Sequence, residues 1–129
     1  FCEHTFSTAT LAVRSMDTSR FVELADTHDS RFDSGDYSKR AIRRANLVAD
    51  ELWHMMQSAF ATPQETEILF SLIDHPSAGP WIAFGALEHL DLAEPRKTRC
   101  LGIIRALAQG RSLNGAGADL WLSHHGYGA

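Results

Sequence analysis

Chemistry in this chain would have to start from its histidines, cysteines and carboxylates, and their spacing argues against a preassembled metal site. The histidines are His4, His28, His54, His75, His89, His124 and His125. Zinc sites bring three or four ligands together, often with two histidines one helical turn apart as in H-E-x-x-H. No such pair occurs, and Cys2 and Cys100 form no C-x-x-C. His54 follows Trp53, and His89 sits within Leu87-Glu88-His89-Leu90, settings that suit packing or the surface. His124-His125, near an expected helix end, suits a favourable contact with the helix dipole. No metal or other cofactor is therefore expected. The competing reading is a small metal-dependent hydrolase that uses His75, His124 and His125. Other nucleophile and phosphate motifs are missing: there is no G-x-S-x-G elbow, no P-loop and no dinucleotide fingerprint. Asn114-Gly115-Ala116-Gly117-Ala118 follows no strand and reads as small residues that let helices approach closely.

The acidic residues Asp26, Asp29, Asp33 and Asp36 form the next constellation. At 100° per residue they fall within about 80° of one another on a single helix. Paired-carboxylate catalysis needs two acids facing each other across a cleft with separated pKa values, which one convex helix face does not supply. The functional reading is a docking strip for a basic protein partner, where charge raises the on-rate and disfavours acidic competitors. The alternative is a solvated face, countered by Arg31 and by Lys39, Arg40, Arg43 and Arg44. Trp81, just after Gly79-Pro80, is a further docking candidate if exposed, or a core residue if not. Arg96, Lys97 and Arg99 open a helix, where the macrodipole disfavours positive charge, so they call for a carboxylate or phosphate, with Glu94 and Asp91 nearby. Neither basic group has much aromatic interleaving, which argues against stacking on single strands and leaves a nucleic-acid binder through the two basic groups as the weaker alternative.

These residues have to be positioned by helices, because the hydrophobic period is helical almost throughout. A first helix over about 18–32 carries Phe21, Leu24, Ala25 and Phe32 on one face, and Ser34-Gly35-Asp36 breaks it, with Asp36 able to cap the next. A long helix over about 37–60 has so wide an apolar stripe that it must meet two neighbours. Thr62-Pro63-Gln64-Glu65 is a capping box with proline at the first helical position, and it starts a helix that runs to about 73. Asp74-His75-Pro76-Ser77 ends that helix, and Ser77 is expected to cap another over about 79–90. Asp74 and His75 are read as turn and cap residues, by an Asx-type bond and an imidazole that closes the turn. Asp91…Glu94, followed by Pro95, is a second capping-box candidate for a helix to about 109, and a last helix covers about 115–124. Short connectors between six helices predict antiparallel neighbours stacked as hairpins.

At 129 residues, 44% apolar and 22% charged, the chain is expected to be one soluble globular domain. Residues 17–125 form the helical domain in this reading, 1–16 an extension that is poorly structured or a short helix, and 126–129 a tail. The longest apolar runs fall far short of the roughly 20 residues a membrane span requires. Phe1 to Thr10 lacks the basic-then-apolar pattern of a signal peptide, and two cysteines make no disulfide framework, so a reducing cytoplasm is expected. The formal net charge of −4 is carried entirely by residues 1–36, which argues against a general nucleic-acid binder.

The arrangement Gly35-Asp36-Tyr37 … Asn46, then Leu72-Ile73-Asp74-His75-Pro76, then Pro95 … Ile103-Ile104 … Ala108 and Gly115 … Ala118 resembles a small bacterial family. That family is the domain of unknown function two-thousand-nineteen, whose members are similar to HEAT repeats. The resemblance covers about residues 20–126, is most specific at the L-x-D-H-P turn, and departs from the family pattern at Gly79-Pro80-Trp81. It implies an all-α fold of stacked antiparallel hairpins in a HEAT/ARM-like right-handed superhelix of about six helices, and no established activity or catalytic residue. Stacked hairpins bind macromolecules through a ridged or concave face. The chain is accordingly expected to be a non-catalytic protein-binding module, most specifically an immunity-type neutraliser of a bacterial toxin. Its oligomeric state is left open.

Overall fold

A computed structural model describes residues 16–34, 37–110 and 113–127, the side chains of 31–34 and 113–116 excepted. Its helices are α1 (Thr18–Ser34), α2 (Lys39–Phe60), α3 (Pro63–Phe70), α4 (Ala78–His89), α5 (Arg96–Ala108) and α6 (Leu113–His124). Among the described residues there is no strand, and the fold is all-α. Helices next to each other in sequence pack together: α1 on α2, α2 on α3, α4 on α5 and α5 on α6. Helix α4 also meets α1 and α2, which closes the set around one centre.

Each helix starts where a side chain satisfies its free amides, and some of those side chains differ from the expected ones. Helix α2 starts two residues late, because Ser38 Oγ accepts from the Ala41 amide at 3.2 Å. Asp36, the expected cap, lies outside the described residues. Helix α3 follows the Thr62-Pro63 signal: Thr62 Oγ1 accepts from the Glu65 amide at 3.3 Å, with proline in the first turn. Glu65 does not reach the Thr62 amide, which donates to the Ala59 carbonyl; its carboxylate takes the Thr62 hydroxyl at 3.1 Å instead. Helix α5 begins at Arg96 rather than at the Asp91 box. The Thr98 amide lies in the first turn and has no partner within the helix, and Glu94 Oε1 accepts it at 3.0 Å. At its far end α6 closes in a Schellman turn, with Gly126 at φ 76°, its amide on the Ser123 carbonyl and the Tyr127 amide on that of Leu122 at 2.8 Å. Tyr127 thereby folds back on Trp121, and packing extends to that residue.

The core is one continuous cluster fed by every helix, including Phe21 and Leu24 of α1, Leu52 and Met56 of α2, Leu69 of α3, Ile82 of α4, Cys100 and Ile104 of α5, and Leu122 of α6. Among the described residues no polar or charged side chain is buried. Burial pushes the Cys100 thiol above its ordinary pKa, so it behaves as a small apolar residue. Helix α4 contributes mostly small residues (Ala78, Gly79, Ala83, Gly85, Ala86), which lets three helices approach it. At Gly79 the approach is closest, since a Cβ there would collide with the Ile73 backbone carbonyl. Replacing Gly79 by Ala is expected to cost about 1–3 kcal/mol in urea unfolding. Gly102→Ala on α5, where a Cβ meets nothing within 4 Å, is expected to stabilise by about 0.5–1 kcal/mol.

Candidate functional site

The turn between α3 and α4 gives separate parts to Asp74, His75 and Pro76. His75 Nδ1 accepts from the amides of Ser77 at 3.2 Å and Ala78 at 3.1 Å. Two amide donors on Nδ1 require the ring proton on Nε2. The imidazole therefore caps α4, and Ser77, the expected cap, makes no side-chain cap bond because its backbone is already helical. Asp74 does not close an Asx turn; its carboxylate reaches across to Arg99 on α5. Pro76 lies exposed within the turn.

The other histidines are spread through the molecule. His54 Nδ1 contacts the Asp50 carbonyl and His125 Nδ1 that of Trp121, both at 2.9 Å and one turn back along their helices. His125 also stacks on the Trp121 ring, with centroids 4.0 Å apart. Among the described residues no three His, Cys, Asp or Glu side chains come together as metal ligands would, so His75, His124 and His125 share no common centre. His4 lies outside the described residues.

Asp26 and Asp29 are exposed on α1 and carry no ion pair among the described residues. The Asp33 side chain and Asp36 lie outside the described set. The side of α1 that meets α2 is marked by Arg20, whose guanidinium takes Glu51 of α2 at 3.1 Å and Glu23 at 2.7 Å. Around the helix Asp26 lies about 120° and Asp29 about 180° from Arg20. The acidic side thus faces away from α2. Trp81 is half-buried, edge-on to His28 at 5.0 Å and to Trp53 at 6.1 Å, and packs against the core. It braces α4 against α1 and α2.

A surface that sequence spacing left unassigned lies on α2. Arg40, Arg43, Arg44 and Leu47 line a shallow concavity of about 490 Å³. In the solvated-face alternative the arginines counter the acids of α1, but they make no ion pair among the described residues. The i, i+3, i+4, i+7 spacing is the sequence signal for such a shared face. No protein-family model, curated protein or solved structure matches the chain. Its chemistry has to be inferred from its own geometry.

The second basic group is already satisfied by the chain. Arg96 pairs with Glu67 at 2.7 Å and lies over the Phe70 ring at 4.1 Å, while Arg99 takes Asp74. Lys97 sits 5.9 Å from the centre of the Tyr127 ring. These contacts tie the start of α5 to α3, to the α3–α4 turn and to the end of α6. The Arg96 hydrogen bond holds the Glu67 carboxyl below its ordinary pKa, and the Thr98 hydroxyl and amide do the same for Glu94.

Two outcomes follow from the turn and from the start of α5. His75→Phe keeps a ring but removes the acceptor, and is expected to cost about 1–3 kcal/mol in urea unfolding by stranding two amides. A carboxyl depressed on folding contributes stability that is present above its unfolded value and lost as pH falls through its folded value. Glu94→Gln is therefore expected to flatten the fall in Tm that wild type shows as pH drops below the ordinary carboxylate range. Parallel Tm curves for the two proteins would remove Glu94 from that account.

Proposed function

We propose that this chain is a non-catalytic protein-binding helical module, with the exposed acidic side of α1 as its docking strip. The observation that carries the reading is the way its charges divide. Several charges on α3, α5 and the turns are tied into pairs and caps, as in Arg96–Glu67, Arg99–Asp74 and Glu94–Thr98. Asp26 and Asp29 have no such partner among the described residues and stand on a helix side that α2 leaves open. Carboxylates presented this way steer and select a basic protein surface and gain little from the chain's own fold. The helical-repeat resemblance at Leu72-Ile73-Asp74-His75-Pro76 points to the same class. No helix among the described residues is long and apolar enough to cross a membrane. In its most specific form the proposal is an immunity-type protein that neutralises a basic toxin in the cytoplasm of a bacterium.

The test uses purified chain immobilised in native lysate at increasing salt, beside the double variant Asp26→Lys/Asp29→Lys. A stoichiometric partner is expected on wild type, weakened at least tenfold by the charge reversal while circular dichroism stays unchanged. Co-expression with a toxin encoded in the adjacent reading frame is expected to restore growth with wild type and not with the variant. Equal capture and equal rescue by both proteins would refute the acidic strip.

A further inference from the structure

The outward stripe of α2 is a charge palindrome. Arg40, Arg43, Arg44, Leu47, Asp50, Glu51 and His54 follow one another at intervals of 3, 1, 3, 3, 1 and 3 residues, and all are exposed. On a helix these positions share one face about 120° wide, the spacing by which helices pair along a seam. Leu47 sits at the midpoint and is 63% exposed. Among the described residues Arg40, Arg43, Arg44 and Asp50 have no ion pair, and Glu51 shares its carboxylate with Arg20.

We infer that this face joins two copies of the chain, with α2 packed antiparallel on α2 across a two-fold axis at Leu47. Such an axis sets residues before Leu47 opposite those about as far after it on the same flank of the second copy. Arg44 then meets Glu51 on one flank of the seam, Arg43 meets Asp50 on the other, and the two Leu47 side chains meet at the centre. Arg43 and Asp50 lie about 6 Å and 4.5 Å along the axis from Leu47, on opposite sides of it and toward the same flank, so the antiparallel pair sets them within one residue's rise of each other. Parallel packing would set arginine on arginine and carboxylate on carboxylate. The concavity of about 490 Å³ beside Arg40, Arg43, Arg44 and Leu47 leaves room for incoming side chains.

Other occupants match only half of the stripe. A phosphate backbone or an acidic protein segment would satisfy the arginines but set Asp50 and Glu51 against like charge. A second copy satisfies both halves with the same residues. One helix face is a small interface, below about 1,200 Å², so the dimer is weak and sensitive to salt. The pairing does not depend on Asp26 or Asp29.

Sedimentation velocity of the full chain over a concentration series tests this. Wild type is expected to show a dimer fraction that rises with concentration and a Kd about tenfold weaker at high salt. Arg43→Glu and Asp50→Arg are each expected to be monomeric with unchanged circular dichroism, because each sets like charges together twice across the axis. Mixing the two single variants is expected to give a heterodimer in which both pairs are opposite in charge, and the double variant is expected to regain the wild-type dimer. Leu47→Ala is expected to weaken the dimer without unfolding an already exposed site. Wild type that stays monomeric at about millimolar concentration, dimers that persist in every variant, or no complex on mixing would each overturn the assignment. So would tight, salt-steep binding of a DNA oligonucleotide that Arg43→Glu abolishes and Asp50→Arg strengthens, since that result would give the face to phosphate. Asp26→Lys/Asp29→Lys is expected to leave the dimer intact, which separates this result from the fate of the acidic strip.

Discussion

Because Ala78, Gly79, Ala83, Gly85 and Ala86 present little or no side chain, α4 is approached by α1, α2 and α5 at once. A helix packed on several sides has no room for a charged stripe, and the apolar residues of α4 are spread around its axis instead of gathered on one face. The arrangement fixes where polar chemistry can sit. Its exposed charge, Glu88, is at the last turn and is held by the Trp121 indole N–H at 2.9 Å.

Bringing α4 inward creates a difficulty at its start, where helical amides have no partner within the helix. Gly79 donates to the His75 carbonyl at 2.8 Å, and the His75 ring takes the amides of Ser77 and Ala78. One residue thus satisfies three donors with a backbone and a side-chain acceptor. The Asp74–Arg99 and Glu67–Arg96 pairs hold α5 beside this turn. The two ion pairs act on position and orientation, and their carboxylates remain largely exposed, so they add order more than stability.

The helices were legible in the sequence because apolar spacing of 3.6 residues is a property of neighbouring positions along the chain. The wide stripe of α2 correctly demanded more than one neighbour, and the structure supplies α1, α3 and α4. Thr62-Pro63 was legible for the same local reason. The imidazole read as closing the turn does cap α4, in place of Ser77, while α5 starts after Pro95 with Glu94 rather than Asp91 as its side-chain acceptor. Charge pairing was not legible. Arg20 meets Glu51 and Arg96 meets Glu67 across long stretches of chain, and nothing local distinguishes those partners from nearer ones. Periodicity placed Asp26 and Asp29 on an exposed side correctly, while the setting of Trp81 depended on His28 and Trp53 arriving from other helices.

The same distinction explains why Arg40, Arg43 and Arg44 look like counterions for the α1 acids in sequence and yet make no ion pair among the described residues. Closeness along the chain does not say which side of a helix its neighbour takes. Helix α1 contacts α2 through the side that carries Arg20, which turns Asp26 and Asp29 outward. The arginines of α2 are left with the carboxylates of their own stripe, Asp50 and Glu51, and on one straight helix residues 43 and 50 are about two turns apart along the axis. A salt bridge within the helix spans three or four residues, not seven. Charges opposite in sign but beyond reach of each other within one molecule are brought level by the reversed second copy inferred above.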